Sequence, residues 1–505
     1  MIKMKFITNK ALLISGFSIL SILSSCERDD LEKDPTTAAS ELLVTSSLDN
    51  LNIAINGMHR NMYYRQNSNQ GQNGATGIMI YMDVMGDDLV FPTTGNGWFV
   101  TTLRWLDNAN ATSTNLFYPY DFYYGQIRIA NIIIKAAPNV QGDQTLKDKV
   151  LGEAYAFRGY CYFMLAQIYA KRYVEGTTNS QPGVPLRLDD SFNAIPRSSL
   201  EEVYTLINSD FAQAYSFLNG KTRSDKSHFN ANVVRGLMAR VALVQGKYAN
   251  AALYAKEARQ GFVLMNNTQY KSGFNSYSNS EWVWGYKPID ATTDFFGNFM
   301  GYMSRNYNSG QIRQAPKVVN NLLYAMFPAT DVRTQVIDPT GAHTALALPN
   351  TYSKFPYTSQ KFLSVNASGT VDNNTSLGDI PFMRSAEMYL IEAEALAKDN
   401  KEADSKIIFN EFTKNRNPSY AGATTTGQAY ITEVLNSRRL ELWGEGFRFL
   451  DLKRLNLPLD RTGANHVSAV TNNLSTVPAG DKRWTWLIPQ AEINASQGLV
   501  QQNEL

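Results

Sequence analysis

The sequence predicts a mainly α-helical fold that carries long irregular loops. Apolar residues recur at helical spacing in segments spread along the chain, as in residues 121–137, where Phe122, Ile127, Ala130 and Ile133 lie near one face. Two other regions are rich in Asn, Gly, Ser and aromatic residues and show no such period. With 505 residues, the chain is long enough to bury a large core without disulfides.

Further helices are expected wherever the helical period returns. Ser198 or Ser199 can cap one of them, since Glu201 and Glu202 follow in its first turn. The predicted segments are residues 146–173, 200–218, 232–245, 248–260, 386–397 and 403–413.

The segments 232–245 and 248–260 resemble a tetratricopeptide unit. Gly246 falls at the turn between them, and small residues that allow close packing line both helices: Ala239, Ala242, Ala251, Ala252, Ala255 and Ala258. A generic helical hairpin is the alternative. Repeat-like packing is favoured because a second pair follows at residues 386–413.

Residues 62–119 and 262–380 are predicted to be long irregular excursions from this helical scaffold. Loops of this length in a compact protein are usually functional or disordered. Their aromatic content argues against disorder, so we expect them to carry the ligand face.

The first 25 residues have the pattern of a secretory signal peptide. Lys3, Lys5 and Lys10 precede an apolar stretch over residues 11–23, which is too short to span a bilayer comfortably. The ending Leu-Ser-Ser-Cys resembles a lipobox, which implies a lipid-modified Cys26 as the new N-terminus. An ordinary signal peptide that happens to contain a cysteine is the alternative.

Residues 26–40 are expected to form a polar tether. The acidic residues directly after Cys26 resemble the surface-export signals of some Gram-negative lipoproteins, which implies an outer-membrane protein that faces the cell exterior. The second cysteine, Cys161, lies in an apolar run and is predicted to be a buried thiol.

Net charge gives no indication of nucleic-acid binding. Removal of residues 1–25 takes away three lysines and no acid, so the formal charge falls from +2 to −1.

No catalytic motif stands out. The chain lacks Gly-x-Ser-x-Gly, His-Glu-x-x-His and Gly-x-x-x-x-Gly-Lys. The histidines, which we interpret as surface or hydrogen-bonded residues, are scattered singly at His59, His228, His343 and His466. The acidic pairs 87–88 and 189–190 lack the alternating spacing of a calcium loop. We therefore predict no catalytic residue, no metal site and no cofactor.

Paired carboxylates raise the alternative of a glycosidase, which needs two acids across a cleft. Glu441 and Glu445 are spaced i, i+4, and Glu387 and Glu394 are spaced i, i+7. Arginines lie three residues from several acids, so ion pairs within helices are the favoured interpretation. The predicted pairs are Arg384–Glu387, Arg438–Glu441, Glu445–Arg448 and Asp451–Arg454.

Four stretches together resemble the SusD/RagB family of outer-membrane nutrient-binding lipoproteins. They are RRLELWGEGFRFLDLKR at 438–454, PFMRSAEMYLIEAEA at 381–395, GEAYAFRGY at 152–160, and WLIP at 486–489 followed by Glu492 and Ile493. Ser437 stands where the family usually has a glutamate, which puts one ion pair in doubt.

The resemblance implies a SusD-like fold with tetratricopeptide-like helical pairs as scaffold and ligand loops on one face. It implies one SusD-like domain over residues 41–505, with helical parts at 41–261 and 381–505 around the loop-rich insertion at 262–380. It also implies a partner, a SusC-like TonB-dependent barrel transporter. The matching motifs are scaffold motifs, so no ligand residue transfers by match.

The expected function is capture of a glycan for import. Aromatic side chains offer flat faces to sugar rings, and the loops supply the candidates Trp98, Phe99, Trp282, Trp284 and Tyr307. Capture of peptides, as in one branch of the family, is the alternative, and a surface glycosidase is a remote one.

Overall fold

The computed structural model describes residues 44–67, 69–191, 193–289 and 297–504. The predicted signal peptide, the tether and Cys26 lie outside the described residues. Within the described ranges, no helix has both the length and the apolar character that a membrane crossing requires.

Helices dominate the described chain, as predicted. In chain order they are α1 (Leu48–Asn61), α2 (Gly74–Val84), α3 (Val100–Leu103), α4 (Thr114–Ala136), α5 (Gln144–Tyr169), α6 (Leu200–Leu218), α7 (Ala231–Val244), α8 (Tyr248–Ala258), α9 (Asn267–Tyr270), α10 (Phe299–Met303), α11 (Gly310–Gln314), α12 (Asn321–Ala325), α13 (Val332–Gln335), α14 (Ser385–Lys398), α15 (Glu402–Arg416), α16 (Gly427–Glu441), α17 (Arg448–Arg454), α18 (Ser468–Thr471) and α19 (Gln490–Ala495).

The strands are short and all antiparallel. They are β1 (Leu89–Val90), β2 (Trp282–Tyr286), β3 (Val318–Val319), β4 (Ile337–Asp338), β5 (Thr358–Ser359), β6 (Ile380–Arg384), β7 (Leu459–Asp460) and β8 (Thr476–Val477). The order β1-β3-β5-β4 forms a small sheet that joins the two loop-rich regions, while β2 pairs with β6 and β7 with β8.

The predicted long helices are confirmed with shifts of a few residues at most ends. Helix α6 begins at Leu200 because Ser199 and Glu202 form a reciprocal capping box. The main difference is α4, which begins at Thr114 rather than near residue 121 because the Ser113 side chain caps it, accepting from the Asn115 amide.

Helices α7 and α8 form the close pair that the small residues predicted. Gly246 turns the chain between them with φ +75°, and four alanines of α8 are buried. Gly236 on α7 lies so close to Met383 that a Cβ would fall 2.2 Å from its sulfur. Helix α8 also packs on α14, which packs on α15 and α16, so the pairs continue into the C-terminal part.

Residues 62–119 are more regular than predicted. Helix α2 lies in this region and is buried on nearly all sides, which explains why its sequence GATGIMIYMDV shows no polar face. Because this apolar stretch has no helical periodicity, the sequence predicts a loop here, whereas the structure has a helix. Cys161 on α5 is a free, fully buried cysteine, as predicted.

Candidate functional site

Trp98 lies at the end of a polar surface loop, residues 93–98, that precedes α3. Thr94, Asn96 and Gly97 are exposed, and the loop is held by short internal bonds, such as the one from the Gly97 amide to the Thr94 carbonyl at 2.8 Å. Gly97 has φ +82° and open space around its Cβ position, so the turn leaves this surface uncrowded.

The Trp98 side chain is partly buried, with one side supported by the protein. Its ring packs against Tyr302, with ring centroids 5.7 Å apart and planes tilted by 58°. The backbone amide of Asn96 donates a hydrogen bond to Gln311 Oε1 at 3.4 Å, which attaches the loop to α11. We call Asn96 and Trp98, together with the buried Tyr302 and Gln311 that support them, the Trp98 surface. It joins the two loop-rich regions that the sequence singled out.

The arrangement suits a ligand with an apolar face and a polar edge. An indole fixed by a neighbouring ring loses little conformational freedom when a ligand covers it. Asn96 is exposed, and its side-chain amide offers both a donor and an acceptor next to the indole. Sugar rings, with C–H faces and peripheral hydroxyls, have this combination of surfaces.

The other four predicted aromatic residues are buried, so the expectation that they expose a ring has to be corrected. Trp282 and Trp284 have no exposed surface because β2 is covered on both faces by the core. Tyr307 packs with Ile312 and Tyr352 in a small cluster. Phe99 adopts φ +63° and turns inward, with its ring between Tyr81 and Tyr302.

The carboxylates that suggested a glycosidase are buried in ion pairs. Glu387 is paired with Arg240, and Glu394 with Arg454 and Lys398. Glu441 and Glu445 both form ion pairs with Arg384. Burial alone would raise the pKa of Glu445, but Arg384 and Lys361 lower it, so this carboxylate stays ionised.

Of the four ion pairs predicted within helices, Asp451–Arg454 is confirmed at 2.7 Å, and the other three are wrong. Arg438 pairs with Asp451, and Arg448 pairs with Asp87 and Asp88.

Arg384 pairs with three glutamates, Glu281, Glu441 and Glu445. Glu445 lies between helices and Arg384 ends β6, so helical spacing does not apply to them. Ser437 accepts a hydrogen bond from Arg333 at 2.7 Å.

Sequence reasoning missed a cluster of titratable residues, because its members are far apart in the chain. Glu153 lies between His59 and His228. Burial would raise the pKa of Glu153, but the two histidines lower it to about 2. Burial lowers the pKa of His59. Burial would also lower the pKa of His228, but its hydrogen bond to Glu153 and the charges of Glu153 and Asp225 together raise it.

Comparisons with known proteins agree with this architecture. Residues 254–505 match the family model described as "SusD family", and residues 30–243 match one described as "Starch-binding associating with outer membrane". The two matches together span nearly the whole chain. The chain belongs to the SusD/RagB family. This membership accounts for the ion-paired motifs that the sequence shares with it.

Two SusD-like proteins of Formosa agariphila are related in sequence. SusD-like protein P38 is 27% identical over 71% of this chain and 76% of its own length. SusD-like protein P2 is 23% identical over 91% of this chain and 93% of its own length.

Solved structures of SusD-like proteins share the fold. A SusD-like carbohydrate-binding protein from Bacteroides vulgatus has a TM-score of 0.77 at 22% identity and covers 90% of this chain and 97% of that one. A laminarin-binding SusD-like protein has a TM-score of 0.66 at 21% identity, covering 91% and 99%. These likenesses confirm a mainly α SusD fold.

Proposed function

We propose that this chain is a non-catalytic lipoprotein of the outer membrane that binds a glycan and delivers it to a SusC-like TonB-dependent transporter. The observation that carries the proposal is the Trp98 surface, a ring held on one side by Tyr302 beside the exposed Asn96. Structural relatives described as carbohydrate-binding and laminarin-binding support the glycan as ligand class.

A binding role without catalysis agrees with the placement of the acids. Glu387, Glu394, Glu441 and Glu445 are all buried and paired with cations, so none of these four is available to protonate a glycosidic oxygen. We infer that they stabilise the scaffold that positions the loops.

Attachment to the membrane is proposed through a lipid on Cys26. The description of the family model that matches residues 30–243 as associating with the outer membrane supports this location. The polar residues after Cys26 would give the domain room to sit over the mouth of a barrel partner.

A glycan array probed with the purified protein tests the ligand class. We expect binding to one group of related oligosaccharides, competed by the free sugar. Absence of glycan binding together with retention of peptides from a peptide library would contradict the proposal and support peptide capture. Co-purification of a TonB-dependent barrel from native membranes tests the partner.

A further inference from the structure

Two histidines and a glutamate meet at the wall of a cavity of about 640 Å³. His59 lies on α1 and Glu153 on α5, while His228 lies in the connection between α6 and α7. His59 Nε2 lies 2.5 Å from Glu153 Oε2, and His228 Nδ1 lies 3.0 Å from Glu153 Oε1. One atom from each residue lies within 4.8 Å of the other two.

Hydrogen bonds from neighbouring groups orient His59 and Glu153 within this cluster. Tyr286 Oη lies 3.1 Å from His59 Nδ1, which leaves His59 Nε2 directed at the carboxylate. The Phe229 amide donates to Glu153 Oε2 at 3.2 Å and fixes the carboxylate from the other side. Such outer hydrogen bonds orient histidine and carboxylate ligands in metal sites.

We propose that His59 Nε2, His228 Nδ1 and the Glu153 carboxylate bind a divalent transition-metal ion of the zinc class. Two imidazoles and one carboxylate are a ligand set that zinc takes in sites with one open coordination position. Imidazole nitrogens favour such ions over calcium and magnesium, which take oxygen ligands.

The two distances from the histidine nitrogens to Glu153 require little adjustment, and the two histidine nitrogens lie within 4.8 Å of each other. Zinc bonds of about 2.0–2.1 Å place neighbouring ligand atoms of a tetrahedral site about 3.3 Å apart. The His228–Glu153 pair is already near that separation, at 3.0 Å. The His59–Glu153 pair, at 2.5 Å, has to open by roughly 0.8 Å, which a small side-chain rotation supplies.

The open position of the metal would face the cavity. Arg60, Lys149 and Arg223 also line it, and their positive charge suits an anionic oxygen donor there. None of the five predicted aromatic residues lines this cavity, so the site is independent of the Trp98 surface. A bound ion would tie α1 and α5 to the connection that carries His228.

Metal binding to the full chain, extracted in detergent and purified without a polyhistidine tag, tests the proposal. After treatment with a chelator and reloading with Zn²⁺, we expect about one equivalent per chain after desalting. Co²⁺ loading should give the intense visible absorption of a four-coordinate site. Zn²⁺ should raise the Tm of the wild-type protein, because it binds the folded state alone.

Variants locate the ion. His228→Gln and Glu153→Gln should weaken Zn²⁺ binding at least roughly 100-fold, since even loss of an outer-shell partner costs 10–100-fold. His466→Gln is the matched control, because His466 lies elsewhere, bonded to the Asp87 carbonyl, and should bind as wild type does. Circular dichroism checks that each variant is folded.

Two results would overturn the proposal. One is a wild-type chain that retains no Zn²⁺ and shows no change in Tm, which would mean that the cluster is held by hydrogen bonds alone. The other is a folded His228→Gln or Glu153→Gln variant that binds Zn²⁺ as tightly as the wild type. The wild-type measurement decides even if a variant fails to fold.

Discussion

Arg384 donates to Glu441 at 2.8 Å, and neither side chain has any exposed surface. Arg416 also donates to Glu441. Arg384 donates as well to Glu445 and to Glu281, which directly precedes β2. These bonds tie strands β2 and β6 to α15 and α16. The stretches that identify the family therefore build the interior of the scaffold. Ligand preference has to reside in other residues.

Glu441→Gln should destabilise the fold and leave ligand affinity unchanged. Burial would raise the pKa of Glu441, but Arg416 and Arg384 hold it well below its usual range. Removing this charge leaves buried arginine charge uncompensated, which costs about 3–5 kcal/mol of unfolding free energy. Urea denaturation measures the change. Glu402→Gln, from a partly exposed pair with Lys406, is the control and should change stability far less.

Arg448→Met should also cost about 3–5 kcal/mol, because it leaves Asp87 buried without its partner. Adding Asp87→Asn should recover part of the loss, since the unpaired charge is then removed. A double-mutant cycle by urea denaturation measures the coupling. A fall in ligand affinity with unchanged stability would contradict a structural role for Arg448.

The unfolding free energy should increase with pH because of Lys317. Burial lowers the pKa of this lysine from 10.5 to about 7, and its Nζ donates a hydrogen bond to the Ala315 carbonyl. Between these pH values the unfolded chain binds a proton that the folded chain does not, so the unfolding free energy increases with pH, by up to about 1.4 kcal/mol per pH unit.

The variant Lys317→Met lacks this proton, so its stability should increase less steeply than that of the wild type between pH 7 and 10. Urea denaturation at each pH compares the two. Lys256→Met, at an exposed position of α8, serves as control and should follow the wild-type curve. Parallel curves for wild type and Lys317→Met would show that Lys317 stays protonated in the fold.

The long helices could be predicted because their periodicity and caps are local properties. The start of α6 at Leu200 follows from Ser199 and Glu202, three residues apart. Helix α2 could not be predicted in the same way, since burial on all sides removes the polar face that reveals a helix.

The site was less predictable because exposure is a tertiary property. Trp284 and Trp98 both lie in aromatic, glycine-containing stretches, but Trp284 pairs into a covered strand and Trp98 ends a surface loop. Similarly, His59 and Glu153 are 94 residues apart, and only the packing of α1 on α5 brings them together.

Cys26→Ala should release the protein from membranes into the soluble fraction, because a diacylglycerol on this cysteine is the proposed anchor. Cell fractionation and detergent partitioning measure the change. Protease treatment of intact cells expressing the wild type should degrade the protein if it faces the exterior. Cys161→Ala, at the buried thiol, is the control and should stay with the membrane. Unaltered partitioning of Cys26→Ala would exclude lipidation at this residue.

Calorimetry with the oligosaccharide identified on the array, comparing Trp98→Ala with the wild type, tests the central claim most directly. We expect a loss of roughly 1–3 kcal/mol of binding free energy, by analogy with stacking of bases on aromatic side chains, and a nearly unchanged Tm. Trp98→Phe should retain part of the affinity, and Ile407→Ala, at an exposed position of α15, should retain all of it. Wild-type affinity in a folded Trp98→Ala variant would contradict the assignment of the Trp98 surface as the glycan site.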